Sequence, residues 1–97
     1  MLFLKGVKSM DIFAQRLKEL RKEKELSLDM VVYDINKKYS IEITKSHLSR
    51  WENGKNEPSI RYASYLAQYY GVSIDYLIGL TDSKIPTDLL AKRKKGN

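Results

Sequence analysis

Five side chains able to hydrogen-bond, Lys45, Ser46, Ser49, Arg50 and Asn53, are spaced along the stretch KSHLSRWENGKNEPS so that neighbours fall one, three or four residues apart. On an α-helix this spacing gathers them on one side, while Leu48 and Trp51, at i and i+3, share the other. Leu48 and Trp51 would then anchor the helix on a core and leave a polar ridge outside. An α-helix fits the major groove of B-DNA, where Arg or Lys can donate to guanine O6 and N7 and Ser can address several bases. The same pattern also describes a short helix that merely faces water, and spacing alone does not separate the two readings.

Other chemistries have little to work with. The 97 residues include one His and no Cys, so disulfides and thiolate metal sites are excluded, and a zinc site would have to be built from carboxylates. No metal is expected, and a reducing cytoplasm is the expected location. No nucleophile stands beside a base, no carboxylates are paired near the His, and no glycine-rich phosphate loop is present. The chain is therefore expected to bind rather than catalyse, with no cofactor and no small-molecule ligand. The apolar start MLFLKGV is too short for a signal-peptide core or a membrane span.

A chain of this length makes one domain. Its net charge of +6 invites a polyanionic partner, but Lys5, Lys8, Lys92, Arg93, Lys94 and Lys95 account for the whole excess. The body between Met10 and Ala91 is neutral, so any case for nucleic acid rests on where its cations sit, or on the tails as flexible arms. We expect a disordered leader over residues 1–9, with Met10 an alternative start, a folded domain over 10–82, and a basic tail over 83–97.

Apolar residues recur at helical spacing throughout. Phe13, Leu17 and Leu20 predict a helix from Asp11 to about Lys24. Ser27 predicts an N-cap, with Leu28, Val31, Val32 and Ile35 forming the inner stripe of a second helix to Lys38 or Tyr39. Tyr39–Thr44 reads as an extended connector, and Thr44 as the cap of a third helix through Asn53. Asn53-Gly54 is also a hairpin signal, but alternating apolar flanks are missing, so Gly54 reads as the residue where a helix stops. A fourth helix spans Ser59–Tyr70 and ends at Gly71; Ser73 caps a short fifth with Ile74, Leu77 and Ile78 inward. The expected fold is all-α, a compact five-helix bundle.

HLSRWENGKNEPSIRYASYLAQYYGVSIDYLIGLTD, with FAQRLKELRKEKELS upstream, resembles the helix-turn-helix domain of the Cro/cI (Xre) family of phage and bacterial repressors over about Asp11 to Asp82. The resemblance implies a lambda-repressor-like bundle in which the second and third helices form the helix-turn-helix and the third lies in the major groove. By position it makes Lys45, Ser46 and Arg50 candidates for base edges, with Ser49 a further one, and Asn53, Lys55 and Arg61 candidates for backbone phosphates. His47 falls in the first turn of the third helix, either touching DNA or solvated.

Two departures stand out. The segment between Ile35 and Ile43 is several residues longer than the family's turn, so NKKYSIE lengthens the second helix, the turn, or both. Leu28 stands where the family has a phosphate-touching Gln, which makes Lys37 or Lys38 the candidate replacement. The expected function is that of a sequence-specific DNA-binding transcriptional regulator, a repressor of phage or mobile-element type. It would act as a homodimer on a palindromic site through Tyr76, Ile78, Leu80, Leu89 and Leu90. The rival is a protein-interaction module, an antitoxin or anti-repressor adaptor, using Tyr62, Tyr65, Tyr69, Tyr70 and Tyr76; those tyrosines would otherwise pack between helices.

Overall fold

The computed structural model describes residues 9–85, and side chains from Ile12 onward. Five helices follow in order: α1 Ser9–Glu23, α2 Leu28–Tyr39, α3 Lys45–Glu52, α4 Ile60–Tyr70 and α5 Ile74–Leu77, with no strand among the described residues. The fold is the expected all-helical one. The leader before Ser9 and the tail residues Leu89, Leu90, Lys92, Arg93, Lys94 and Lys95 lie outside the described residues.

Local chemistry starts and stops the helices. Ser27, Thr44, Ser59 and Ser73 occupy the N-caps of α2 to α5, each with its side-chain oxygen accepting from the backbone N–H three residues on. Gly71 ends α4 at φ 69°, a left-handed conformation that costs glycine nothing. Ser40 ends α2 in the same region, at φ 55°, without that freedom.

The inner stripes meet in one core. Leu17, Val31, Ile35, Leu48, Leu66 and Leu77 are its most enclosed side chains, and Trp51 is buried with them. Helix α3 packs between α1 and α2, while α4 closes over α2 and α5. Ile78 departs from expectation: it caps the end of α5 and is 37% exposed, while Tyr76 and Val72 fill the interior instead. Ile78 lies one residue past the helix, whose inward positions are already taken by Tyr76 and Leu77.

Two arginines of α1 tie distant segments together. Arg21 bonds Glu52, the last residue of α3, through Nε to Oε2 at 2.9 Å and Nη2 to Oε1 at 2.9 Å, and donates Nη1 to the Leu26 carbonyl at 2.9 Å. This two-pronged geometry is the strong form of the carboxylate–guanidinium contact. The hydrogen bond to Glu52 raises the Arg21 pKa against the opposing effect of burial. Arg16 donates to the carbonyls of Tyr76 at 2.6 Å and Thr81 at 2.7 Å and lies 4.2 Å over the Tyr76 ring, binding the segment after α5 onto α1.

All five tyrosines considered as an interaction surface pair with named groups inside the fold, Tyr70 through an edge-on contact with the Tyr69 ring at 4.9 Å. Tyr62 meets the edge of Trp51, Tyr65 stacks on Tyr39 at 4.6 Å, and the Tyr69 hydroxyl donates to Asp34 at 2.7 Å. Tyr76 lies beneath Arg16. Tyr70 is buried, and its hydroxyl has no partner among the described residues. Burial, then the Glu52 carboxylate and Tyr69, push the Tyr70 phenol above its usual 10.0; burial and the bond to Asp34 do the same for Tyr69. The folded chain therefore keeps protons that the unfolded chain releases, so stability is intact below about pH 10 and falls as pH rises beyond it. Tyr70→Phe removes a buried hydroxyl that bonds nothing. Urea unfolding near neutral pH should find the variant as stable as the parent or more stable by about 1–3 kcal/mol, with a shallower loss above about pH 10.

Candidate nucleic-acid interface

Helix α3 owes its position to three constraints. Leu48 and Trp51 are sunk in the core, and Glu52 is held by Arg21. The C-terminal end is closed by Asn53 and Gly54, the latter at φ 71°, with the Lys55 N–H donating to the Arg50 carbonyl at 2.9 Å. The N-terminal end is closed reciprocally: Thr44 Oγ1 accepts from the His47 N–H at 3.1 Å, and His47 Nδ1 accepts from the Thr44 N–H at 3.0 Å.

With the inner face committed, Lys45, Ser46 and Arg50 stand exposed and Ser49 half-buried beside them. These four form one ridge along α3. Arg50 Nη1 donates to Ser46 Oγ at 3.1 Å, one turn toward the N-terminus. Lys45 faces Asp29 of α2 at 3.7 Å, with both side chains well exposed; such a pair contributes little and yields readily to another partner. It does show that the first turns of α2 and α3 lie side by side.

The expected phosphate contacts divide. Lys55 and Arg61 are exposed, the first just past α3 and the second in the first turn of α4. Asn53 is turned back on its own helix: its Nδ2 donates to the Ser49 carbonyl at 2.8 Å and its Oδ1 accepts from Lys18 of α1 at 3.3 Å. Lys18, which sequence reasoning passed over as one more charge on an exposed helix face, is thereby a cation at the C-terminal end of α3. Lys37 and Lys38 stand at the far end of α2 from Asp29, the residue that faces Lys45. They lie in the last turn of α2, about 12–14 Å along the helix from Asp29, and Lys38 sits 5.8 Å over the Tyr39 ring.

His47 is not merely solvated. Its ring is half-buried, caps α3, and stacks on Trp51 at 6.0 Å with planes 12° apart. A Thr three residues before a side chain with an acceptor was the available signal. Glu52 was missed as well, because a carboxylate is read as surface unless its cation is known. Tyr76 is corrected as a subunit-contact candidate: at 7% exposure under Arg16 it is core. Ile78 and Leu80 are exposed, and with Phe13, Pro58, Ile60 and Ala63 they line an open apolar groove; Ile60, 76% exposed in the first turn of α4, was not foreseen. Among the described residues no three potential metal ligands cluster, and no helix is long and apolar enough to cross a membrane.

A family model described as a helix-turn-helix domain matches residues 14–83. The chain belongs to the helix-turn-helix domain family. It is 33% identical over 75 residues to a Bacillus subtilis (strain 168) protein named as an uncharacterized HTH-type transcriptional regulator, YobD; that alignment covers 77% of this chain and 62% of the relative. The chain thus spans less than two thirds of that relative's length. No solved structure gives a match.

The segment between α2 and α3 has a built conformation rather than a loose one. Helix α2 runs on to Tyr39, which leaves Ser40–Thr44 as the connector. Asn36 clamps that connector: its Oδ1 accepts from the Ile43 N–H at 2.8 Å and its Nδ2 donates to the Ile43 carbonyl at 2.9 Å. Ile43 itself is buried, and Tyr39 stacks on Tyr65 of α4. The insertion is therefore drawn toward α4 and leaves the ridge uncovered. Asn36→Ala orphans both Ile43 backbone groups in a half-buried site, and chemical denaturation should show a loss of about 1–3 kcal/mol.

Proposed function

We propose that the chain is a sequence-specific double-stranded DNA-binding transcriptional regulator of the Cro/cI (Xre) kind, a repressor of phage or mobile-element type acting in the cytoplasm. Helix α3 enters the major groove. The observation that carries this reading is the exposed ridge of Lys45, Ser46, Ser49 and Arg50 on a helix whose other face is locked by Leu48, Trp51 and Glu52. Arg50 and Lys45 read base edges with Ser46 and Ser49 beside them, while Lys55 and Arg61 bind phosphates and set register without reading sequence. Asn53 acts through the α3 end it closes. Two copies meet over the groove edged by Ile60, Ile78 and Leu80, which places two α3 helices on half-sites about 34 Å apart.

The rival protein-adaptor reading draws no support from its tyrosines. Tyr62, Tyr65, Tyr69 and Tyr76 are committed to Trp51, Tyr39, Asp34 and Arg16, and Tyr70 is buried.

Selection of bound duplexes from a random pool should return a motif with two-fold symmetry; no enrichment would reject the proposal. On the selected site Arg50→Ala should cost about 1–3 kcal/mol and relax discrimination at one base position. Lys55→Ala should weaken binding alike on all sequences and lower the salt slope by about one. Equal loss on selected and random DNA for Arg50→Ala would remove it from base reading. In sedimentation, Ile60→Asp with Leu80→Asp should shift dimer to monomer at unchanged melting temperature; a parent chain that stays monomeric when bound to the full site would refute the pairing.

A further inference from the structure

We propose that His47 is a positioning residue for the DNA-facing ridge: its neutral imidazole, held as the Nε2–H tautomer, closes the first turn of α3 and so fixes how Lys45 and Ser46 leave the helix. This rests on the reading that α3 faces DNA.

A helix start leaves backbone N–H groups without partners. Here Thr44 Oγ1 takes one, and His47 Nδ1 takes the N–H of Thr44 itself at 3.0 Å. An Nδ1 that accepts carries no proton, so the ring's proton is on Nε2. The position three residues after a cap usually carries Glu or Gln. Glu there would favour the helix dipole but would set a negative charge on the end that enters the polyanionic duplex. Helices α2 and α5 carry Asp in the first turn, whereas α3, like α4, has no acidic residue there. Imidazole supplies the same acceptor with no charge. Asp29 of α2 approaches this end, where Lys45 faces it at 3.7 Å, and Glu42 stands exposed two residues before the cap.

The ring is fixed from a second direction by its near-parallel stack on Trp51, one turn on and anchored in the core. Ring, cap and core are thus one rigid unit beneath Lys45 and Ser46. Nε2–H has no partner among the described residues and is not sealed from solvent. As a donor only, it accommodates acceptors such as a phosphate oxygen or a purine N7 and turns away the amino group of cytosine.

The test compares the ¹⁵N-labelled full chain with His47→Gln, which keeps an acceptor, and His47→Ala, which removes it. Ring nitrogen shifts of the free parent should report a neutral Nε2–H tautomer. His47→Ala should speed Thr44 amide exchange about tenfold and cut the ratio of selected-site to random-duplex affinity about three- to tenfold, and His47→Gln should retain most of both. An Nδ1–H tautomer, an alanine variant matching the parent in exchange and affinity ratio, or a glutamine variant falling as far as alanine would each overturn the proposal. A parent chain with no preference among duplexes refutes the DNA reading separately, since ring tautomer and Thr44 exchange still decide the cap.

Discussion

Arg21 and Glu52 meet in a nearly closed space, the carboxylate only 4% exposed and gripped by two guanidinium nitrogens. Separating them would strand a buried charge, a cost of about 3–5 kcal/mol in comparable sites. Because the same guanidinium also holds the Leu26 carbonyl, one side chain joins the end of α1, the turn into α2 and the end of α3. Leu48 and Trp51 supply apolar burial, which is large but does not by itself prescribe a rotation about the helix axis. The ion pair adds that direction. With Glu52 held inward beside Trp51, Ser46 and Arg50 have only the outside left to occupy.

The opposite end of α3 is set by smaller interactions in greater number. The lengthened segment after Ile35 would be a source of freedom between α2 and α3 if it were an open loop. Instead Asn36 pairs with both backbone groups of Ile43, Ser40 takes a left-handed turn, and Tyr39 stacks on Tyr65. From there rings continue through Tyr62 and Trp51 to His47. The insertion is thereby coupled to the cap of α3 through packed aromatic surfaces.

Charge contributes by placement rather than amount. The excess cations belong to the two ends of the chain, and the body is balanced. Within it, Lys55 and Arg61 stand exposed at the end of α3 and the start of α4, while Lys18 is drawn to Asn53. A neutral body with cations beside one protruding helix favours a polyanion only where that helix can approach it, which makes geometry the first determinant of binding and charge the second.

Most of what is decided within one helical turn was legible in the residues themselves, the His47 side of the α3 cap and the left-handed Ser40 being exceptions. Ser27, Thr44, Ser59 and Ser73 as caps, Gly54 and Gly71 as stops, and Leu48 with Trp51 facing inward follow from hydrogen-bonding capacity, tolerance of positive φ and a period of 3.6 residues. These act between residues no more than four apart, so their outcome travels with the sequence. What depended on packing was not legible. Glu52 became core because Arg21, far earlier in the chain, arrives beside it; Tyr76 turned inward under Arg16, and Ile78 turned out. A charge or an aromatic ring has no fixed side of its own. Its environment is settled only when separate helices pack and a partner distant in sequence either reaches it or does not.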